Sequence, residues 1–504
     1  MIRILQLWLI GMTLPFVLRT ILVYGFGIDV PEMVWLWKEL IIGGLLVGSL
    51  WLVVFGRKRR SGINRISSMK ELFADKFLLT MIGLLLTLLI LSAILAFGVH
   101  DQLLREWIVF IKYDIIPRIV LLTGYIVVRL QWWYERLAKT MQTIISVLLV
   151  VGIARRGLSV WLPDLLVSLG YSMDAYQWSE WFAPPVRYLT QVRWGYIRNG
   201  SIFGGPTSWG FFLIAFAPWY IWRWSQMVAN GSKWWHMVFW IVLLTVNVGL
   251  TFSRAAWGVF LVELLLVLVV HFLVRRFAGT NFLAWSKKYA KKSSLAAGAC
   301  STPATGVDLA NTCRTPATTN SYSSVWCSVV SLFVAVWLWM IATIGLIRVA
   351  WPVDVPQAAD RDQGVLMRDL SDKGHVELLI EWIQKVWQSP RTGYGVASVW
   401  PGAYRAEDGE NTIVYHPENQ YIQILMEVGI IGFVLWVALW VAVGRNGIRR
   451  RNGRNSDGTY LLLGAVWLGI VWLVLHSMME SMSIYPWMLM MGARLGYATK
   501  QYQE

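Results

Sequence analysis

Long apolar runs are the feature that most constrains what this chain can fold into. They recur along the sequence at roughly 18–25 residues, the length that crosses a bilayer as an α-helix. The chain has 504 residues, of which 57% are hydrophobic and 15% are charged. A soluble globular domain is about half apolar and about a quarter charged. The sequence therefore excludes a soluble enzyme, a disordered protein and a disulfide-stapled scaffold.

The apolar pattern predicts an all-α, polytopic membrane protein with about twelve transmembrane helices. The predicted spans are 4–26, 34–55, 77–99, 107–128, 141–154, 207–222, 234–251, 256–274, 325–347, 421–443, 460–476 and 483–498. The predicted regions are 1–154 (helices 1–5), 155–206 (outer loop), 207–347 (helices 6–9, with a disordered cytoplasmic insert at 277–324), 348–420 (long outer loop) and 421–504 (helices 10–12).

The basic residues predict how these spans are oriented. Lys and Arg cluster after spans 2, 4, 8 and 10, which share one side of a twelve-span zigzag, and positively charged loops stay cytoplasmic. The opposite loop at 348–417 carries 7 basic and 10 acidic side chains. The net charge of +16 is therefore mostly a topology signal and gives little support to nucleic-acid binding. Both termini are predicted to be cytoplasmic.

Two arginine motifs stand on the predicted outer side. The loop 155–206 ends in a stretch with Arg193 and Arg198, followed by a Gly- and Pro-rich turn whose backbone N–H groups can approach a ligand. Arg254 lies at the tip of a predicted tight hairpin between spans 7 and 8, and an enclosed Arg needs an anionic partner such as a phosphate. The alternative for both motifs is an interfacial Arg that extends its charge towards water.

The long outer loop at 348–420 contains a third polar region. Apolar residues at helical spacing predict an amphipathic helix that stops before Pro390 and either lies on the membrane surface or covers a cavity. His416, Glu418 and Asn419 then lead into span 10, where the alternative is a plain helix cap and loop. The sequence has no His, Cys, Asp and Glu cluster with metal-ligand spacing, so neither a metal nor a cofactor is expected.

The motifs of these regions follow one another in a fixed order. They read Arg-x-Gly-Ser-Ile-Phe-Gly-Gly-Pro, Thr-Phe-Ser-Arg-Ala-Ala-Trp, Gly-His-Val-Glu-Leu-Leu with Ser-Pro-Arg-Thr-Gly-Tyr-Gly, and Glu-Asn-Gln-Tyr-Ile-Gln-Ile-Leu-Met-Glu-Val-Gly-Ile-Ile-Gly. Between about Arg193 and Gly432, this order and the surrounding spans resemble the O-antigen ligase / O-antigen polymerase superfamily of bacterial envelope enzymes. The last motif is the most specific, because it joins a long outer loop, a polar cluster and a glycine-bearing span.

The resemblance implies a glycosyltransferase of the bacterial cytoplasmic (inner) membrane with its active site facing outward. Such enzymes take a glycan from an undecaprenyl diphosphate donor and pass it to an acceptor hydroxyl, without a metal or another cofactor. Family arginines hold the donor diphosphate, and the matching positions here are Arg198 and Arg254. Direct attack by the acceptor would invert the anomeric configuration.

The base implied by the family does not map onto a single residue. A His in the long outer loop is the proposed base of the family, but this chain has Glu418 at the matching position and His416 two residues earlier. The acid–base residue is therefore Glu418 or His416, with the motif register favouring Glu418. Asn419, Arg193 and His375 are expected supporting residues. His375 stands in a family-like Gly-His pair, and the equal alternative for it is an exposed helix start.

Other functions remain open at this stage. A multi-span transporter or flippase of envelope lipid-linked glycans suits the spans and the buried charges, but transporters often show repeated halves with broken helices, and none is seen here. A non-catalytic scaffold of an envelope assembly is a third possibility. If the protein is an enzyme, its acceptor is a glycan, a lipid or a protein. The sequence does not specify which, so it does not distinguish a ligase, a polymerase and a protein-glycosylating enzyme.

Overall fold

A computed structural model of the chain shows which parts adopt the predicted helices. The residues that it describes are 2–12, 21–22, 26–28, 37–55, 75–131, 133–169, 192–193, 196–197, 200–201, 203, 206–229, 231–251, 253, 256–263, 379–396, 398, 419–449, 466 and 481–503. The predicted insert at 277–324 and the predicted span at 325–347 lie outside them.

The described residues are almost all helical. The helices are α1 (Ile2–Met12), α2 (Trp37–Phe55), α3 (Lys76–Ala93), α4 (Leu104–Phe110), α5 (Ile116–Gln131), α6 (Tyr134–Trp161), α7 (Pro163–Ser168), α8 (Pro206–Ala229), α9 (Trp234–Leu250), α10 (256–263), α11 (379–388), α12 (Gln420–Arg449) and α13 (Ser481–Gln503). One π-helical stretch, Ile94–Val99, extends α3, and a second, Ile111–Ile115, joins α4 to α5. A short antiparallel ribbon pairs β1 (Val192–Arg193) with β2 (Tyr196–Ile197).

Three helices in this part of the chain are long and apolar enough to cross a membrane. They cover Lys76–Val99, Tyr134–Ser159 and Gln420–Gly447. The all-α membrane class predicted from the sequence is thereby confirmed. The number of about twelve spans stays a prediction, because residues of several predicted spans lie outside the described ranges.

The closest helix packing joins α5 to α13 through glycines. Gly492 and Gly496 stand one turn apart on α13 and face the backbone of α5, where Gly124 approaches α13 in return. A Cβ on Gly492 would come within 2.7 Å of the Leu121 carbonyl carbon, and one on Gly496 within 3.1 Å of the Tyr125 carbonyl carbon. Small residues are needed at such a contact because helices in a membrane associate by close backbone packing.

We expect Gly492→Leu to destabilise the protein strongly. The new side chain would meet main-chain atoms that cannot rotate away, and overpacking of this kind costs about 1–3 kcal/mol. Thermal unfolding of the detergent-purified protein measures the effect as a lower Tm. Gly83→Leu on α3 is the matched control, because a Cβ at Gly83 has no neighbour within 4 Å among the described residues. Equal melting temperatures for the two variants would contradict the close α5–α13 contact.

A buried ionic cluster joins three helix ends. The Asp75 carboxylate caps α3 by accepting from Phe77 N at 3.0 Å, and it also accepts from the side chains of Arg129 and Tyr125 at the end of α5. The Tyr125 hydroxyl is 3.1 Å from that of Thr499 on α13. The start of α3 and the ends of α5 and α13 therefore meet. The predicted topology also places these three helix ends on the same side of the membrane.

A second buried pair links α5 to α12. Arg118 lies 3.5 Å from the carboxylate of Asp114, as their spacing on one helix face predicts. The Arg118 guanidinium also stands over the rings of Trp436 and Trp440, at 5.4 and 5.9 Å from their centroids. Cation–π contacts of this kind strengthen where water is excluded, so the pair helps to hold α12 against α5.

Candidate active site

The segment that follows Arg198 is anchored on α6. Ser201 is buried and has a φ of 48°, a left-handed conformation that is uncommon for a residue with a side chain. Its hydroxyl donates to the Leu148 carbonyl at 3.3 Å, and its own carbonyl accepts a hydrogen bond from the Arg155 guanidinium. These contacts fix the backbone three residues after Arg198 against the helix that precedes the outer loop.

Stacked aromatic rings hold the same segment on α8. The ring of Phe203 lies 5.2 Å from that of Trp209 and 5.0 Å from that of Phe212, and all three are buried. Offset aromatic pairs at this distance add to the stabilisation from burial. α8 begins at Pro206, where the missing N–H costs no helical bond. Phe203 is therefore held against the first turns of α8.

In the second arginine motif, hydroxyl groups and an indole link the described residues to one another and to the end of α9. Ser253 N donates to the Thr251 hydroxyl at 3.2 Å, and the Ser253 hydroxyl accepts from Ala256 N at 3.4 Å. The Trp257 indole donates back to the carbonyls of Val248 and Gly249 at the end of α9, each at 3.0 Å. The described residues on either side of Arg254 therefore lie close together, and the predicted hairpin of spans 7 and 8 stays a prediction.

The two arginine motifs meet at the start of α8. A Cβ added to Gly210 would lie 2.9 Å from the Cβ of Ala256, and the side chain of Thr251 is also close. One turn further along, Ile214 packs with Ala256 and Val259. The flanks of both motifs are therefore adjacent at one end of α8. Arg198 and Arg254 themselves lie outside the described residues.

The polar cluster before span 10 ends in a helix cap. The Asn419 side-chain oxygen accepts from Tyr421 N at 2.9 Å and from Ile422 N at 3.1 Å, so Asn419 is the N-cap of α12. One turn further, the Gln423 amide donates to the Glu427 carboxylate at 3.1 Å, and both side chains are fully buried. The capping alternative is thus confirmed for Asn419.

The predicted amphipathic helix of the long outer loop exists as α11 and stops before Pro390, as expected. One face, which includes the buried ring of Trp382, packs on Ile422 and Met426 of α12. The opposite face presents Ile380 and Trp387, which are 51% and 76% exposed. One face of α11 therefore covers the first turns of α12. Its second apolar face points away from α12 and is exposed.

Residues 239–437 match the family model described as O-antigen ligase. This stretch is therefore similar to an O-antigen ligase domain. The matched stretch contains the Arg254 motif, α11 and the capped start of α12, and it ends inside α12. No curated protein and no solved structure matches the chain significantly. The predicted resemblance to the O-antigen ligase / O-antigen polymerase superfamily is confirmed over these residues.

The O-antigen ligase domain places the chain among membrane enzymes of polysaccharide biosynthesis, at the level of the family. Arg193 is paired with Tyr196 in the β-ribbon and Asn419 caps α12. The other predicted site residues lie outside the described residues, namely Arg198, Arg254, His375, His416 and Glu418. Their roles stay predictions.

Two residues of this frame were not found from the sequence. Arg155 lies within α6, which runs seven residues beyond the predicted span, and it binds the segment after Arg198. Gln102, in the turn between α3 and α4, donates to the Val396 carbonyl at 2.9 Å. The two residues of this second contact are 294 positions apart, so no local sequence pattern indicates the contact. An Arg just beyond the predicted end of an apolar run was the available signal for Arg155.

No group of His, Cys, Asp and Glu side chains that would hold a metal ion occurs among the described residues. His375, His416 and Glu418 lie outside them, so a metal-free reaction remains a prediction for the O-antigen ligase domain.

Proposed function

We propose that the protein is a membrane glycosyltransferase that moves a glycan from undecaprenyl diphosphate to an acceptor hydroxyl on the outer face of the cytoplasmic membrane. The observation that carries this proposal is the O-antigen ligase match at 239–437, because it includes the Arg254 motif, α11 and the start of α12. The reaction is inverting and uses no metal.

Arg198 and Arg254 bind the diphosphate of the donor. A diphosphate that leaves a sugar gains negative charge, and guanidinium forks pair with phosphate oxygens through two parallel hydrogen bonds. Such pairs are worth more near lipid than at an open surface, because little water competes. The contact of Gly210 with Thr251 and Ala256 supports a shared role, since it joins the flanks of the two motifs at the start of α8.

Glu418 or His416 removes the proton of the acceptor hydroxyl as it attacks the anomeric carbon. A positioned base typically contributes about 10²–10⁴ in rate. The Asn419 cap supports this role, because it holds the adjacent backbone at the start of α12. Arg193 and His375 are supporting residues for the donor or the acceptor.

The helix α11 shields the reaction from water. It is packed on the first turns of α12, directly after the cap at Asn419. Exclusion of water favours attack by the acceptor alcohol over hydrolysis of the donor. The membrane supplies the donor through its undecaprenyl chain, and the acceptor is a glycan, a lipid or a protein.

The test is a transfer assay in proteoliposomes that contain the full-length protein, an undecaprenyl diphosphate-linked glycan and a candidate acceptor. We expect a new glycosidic bond together with release of undecaprenyl diphosphate. Movement of the intact lipid-linked glycan between leaflets without a new bond would instead identify a flippase. In cells, inactivation separates the subtypes, because full chains on the lipid accumulate for a ligase and single repeat units for a polymerase.

A further inference from the structure

α12 is interrupted by an unusual backbone conformation at Gly429. Its φ of 63° and ψ of −171° lie in a region that is open essentially to glycine alone. In a regular helix, Ile430 N would donate to the Met426 carbonyl. α12 therefore consists of two halves, a first one that follows Asn419, here called the outer half, and a longer one that starts at Ile430.

A second segment inserts between the two separated groups. Ile430 N donates to the Pro390 carbonyl at 2.9 Å, and the Met426 carbonyl accepts from Tyr394 N at 2.6 Å. The inserted turn, residues 389–396, thus satisfies both groups that the break at Gly429 would leave without a helical partner. Buried main-chain groups need such partners, so the break and the inserted turn stabilise each other.

The contact is possible only because glycines face each other. Gly393 has a φ of 68°, and a Cβ there would lie 2.9 Å from Gly429 N. A Cβ on Gly429 would lie 2.8 Å from Thr392 N. Both neighbours are main-chain atoms, so neither can move aside without breaking the hydrogen bonds of the inserted turn.

The inserted turn is also held from the side of α3. The Gln102 amide donates to the Val396 carbonyl at 2.9 Å, and its side chain fills the space next to Gly395, where φ is 98°. α11 ends directly before the inserted turn, and its Trp382 packs on the outer half of α12. α11 and the outer half of α12 therefore form one unit whose joint to the membrane-spanning helices is the inserted turn.

We propose that this joint positions the outer unit during glycan transfer, with Gly429, Gly393 and Gln102 as positioning residues. The inference rests on the proposed function, because the outer unit carries α11 and the cap at Asn419. A displacement of about 1 Å at a reacting group can cost about 10²-fold in rate. A loosened joint would move the base away from the acceptor and let water reach the donor, so hydrolysis would gain on transfer.

The experiment measures the ratio of transferred glycan to hydrolysed glycan in proteoliposomes with the full-length protein. This ratio does not depend on how much of the protein is folded, so it separates positioning from simple destabilisation. We expect it to fall at least about five-fold in Gly429→Ala and about two- to three-fold in Gln102→Ala. Gly444→Ala, on the same helix with nothing within 4 Å of the new Cβ among the described residues, should leave it unchanged.

An unchanged ratio in both Gly429→Ala and Gln102→Ala would overturn the inference. If Gly429→Ala does not reach the membrane, Gln102→Ala alone decides, since it leaves α12 intact. If the wild-type protein forms no glycosidic bond, the proposed function fails, and the joint is tested by cross-linking cysteines at Gln102 and Val396 in a background without the three native cysteines. Loss of this cross-link in Gly429→Ala supports the joint, and equal cross-linking contradicts it.

Discussion

Arg254→Ala is expected to lower glycan transfer about 10²- to 10³-fold, the scale of losing one fixed donor to charge that develops in a transition state. The turn that carries Arg254 is ordered by Thr251 and Ser253, so the substitution leaves its frame intact. Arg198→Ala should behave in the same way, because its motif is anchored separately by Ser201 on α6. Initial rates in proteoliposomes measure both effects.

Charge-conserving variants separate recognition of phosphate from simple attraction. Arg254→Lys keeps the positive charge but loses the planar fork, so we expect a loss of about ten-fold. Arg223→Ala is the control, because Arg223 pairs with the half-exposed Glu135 at 3.0 Å, at the end of α8 far from the motifs. If Arg198→Ala and Arg254→Ala both transfer glycan at rates within two-fold of the wild-type rate, the two arginines do not bind the diphosphate. A two-fold loss is far smaller than the loss expected when a donor to transition-state charge is removed.

Glu418→Gln is expected to lower transfer by about 10²–10⁴, the usual contribution of a positioned base. The amide keeps the size of the side chain but cannot accept the acceptor's proton. His416→Ala should then retain most of the activity. Glu381→Gln on α11 is a matched control, because this carboxylate is 53% exposed and pairs with Lys385 at 3.0 Å.

The opposite pattern would reassign the base. A nearly normal Glu418→Gln variant together with an inactive His416→Ala variant would make His416 the base and reverse the register argument. Asn419 is left unchanged in all of these variants, because it caps the start of α12 close in sequence to both candidate bases.

Elements that depend on nearby residues were predicted well from the sequence. Span 3 was predicted at 77–99, and the helix with its π-helical extension covers Lys76–Val99. α11 stops before Pro390 as expected, since proline cannot continue the hydrogen bonding of a helix. Span 5 was predicted at 141–154, whereas α6 covers Tyr134–Trp161, because helical bonding continues through polar residues that an apolar window leaves out.

The candidate site was predicted only in its local parts. The motifs and their chemistry could be read from residue types and spacing, and the O-antigen ligase match at 239–437 supports the superfamily that they indicate. That the segment after Arg198 and the turn around Arg254 meet beside Gly210 could not be read in this way. This contact depends on which helices become neighbours, and a single sequence carries no signal for that choice.

The sequence by itself determined the all-α membrane class, the clustering of Lys and Arg in loops on one side of the predicted spans, and the order of the motifs. Each of these depends on local hydropathy, charge and turn chemistry. Only the tertiary structure decided how Gly429 is used. A glycine in an apolar span is also compatible with an ordinary helix. Its role appears when Pro390 and Tyr394 supply the partners for Ile430 and Met426. The physical reason is that a broken helix must satisfy its backbone groups from elsewhere, and only the folded chain supplies them.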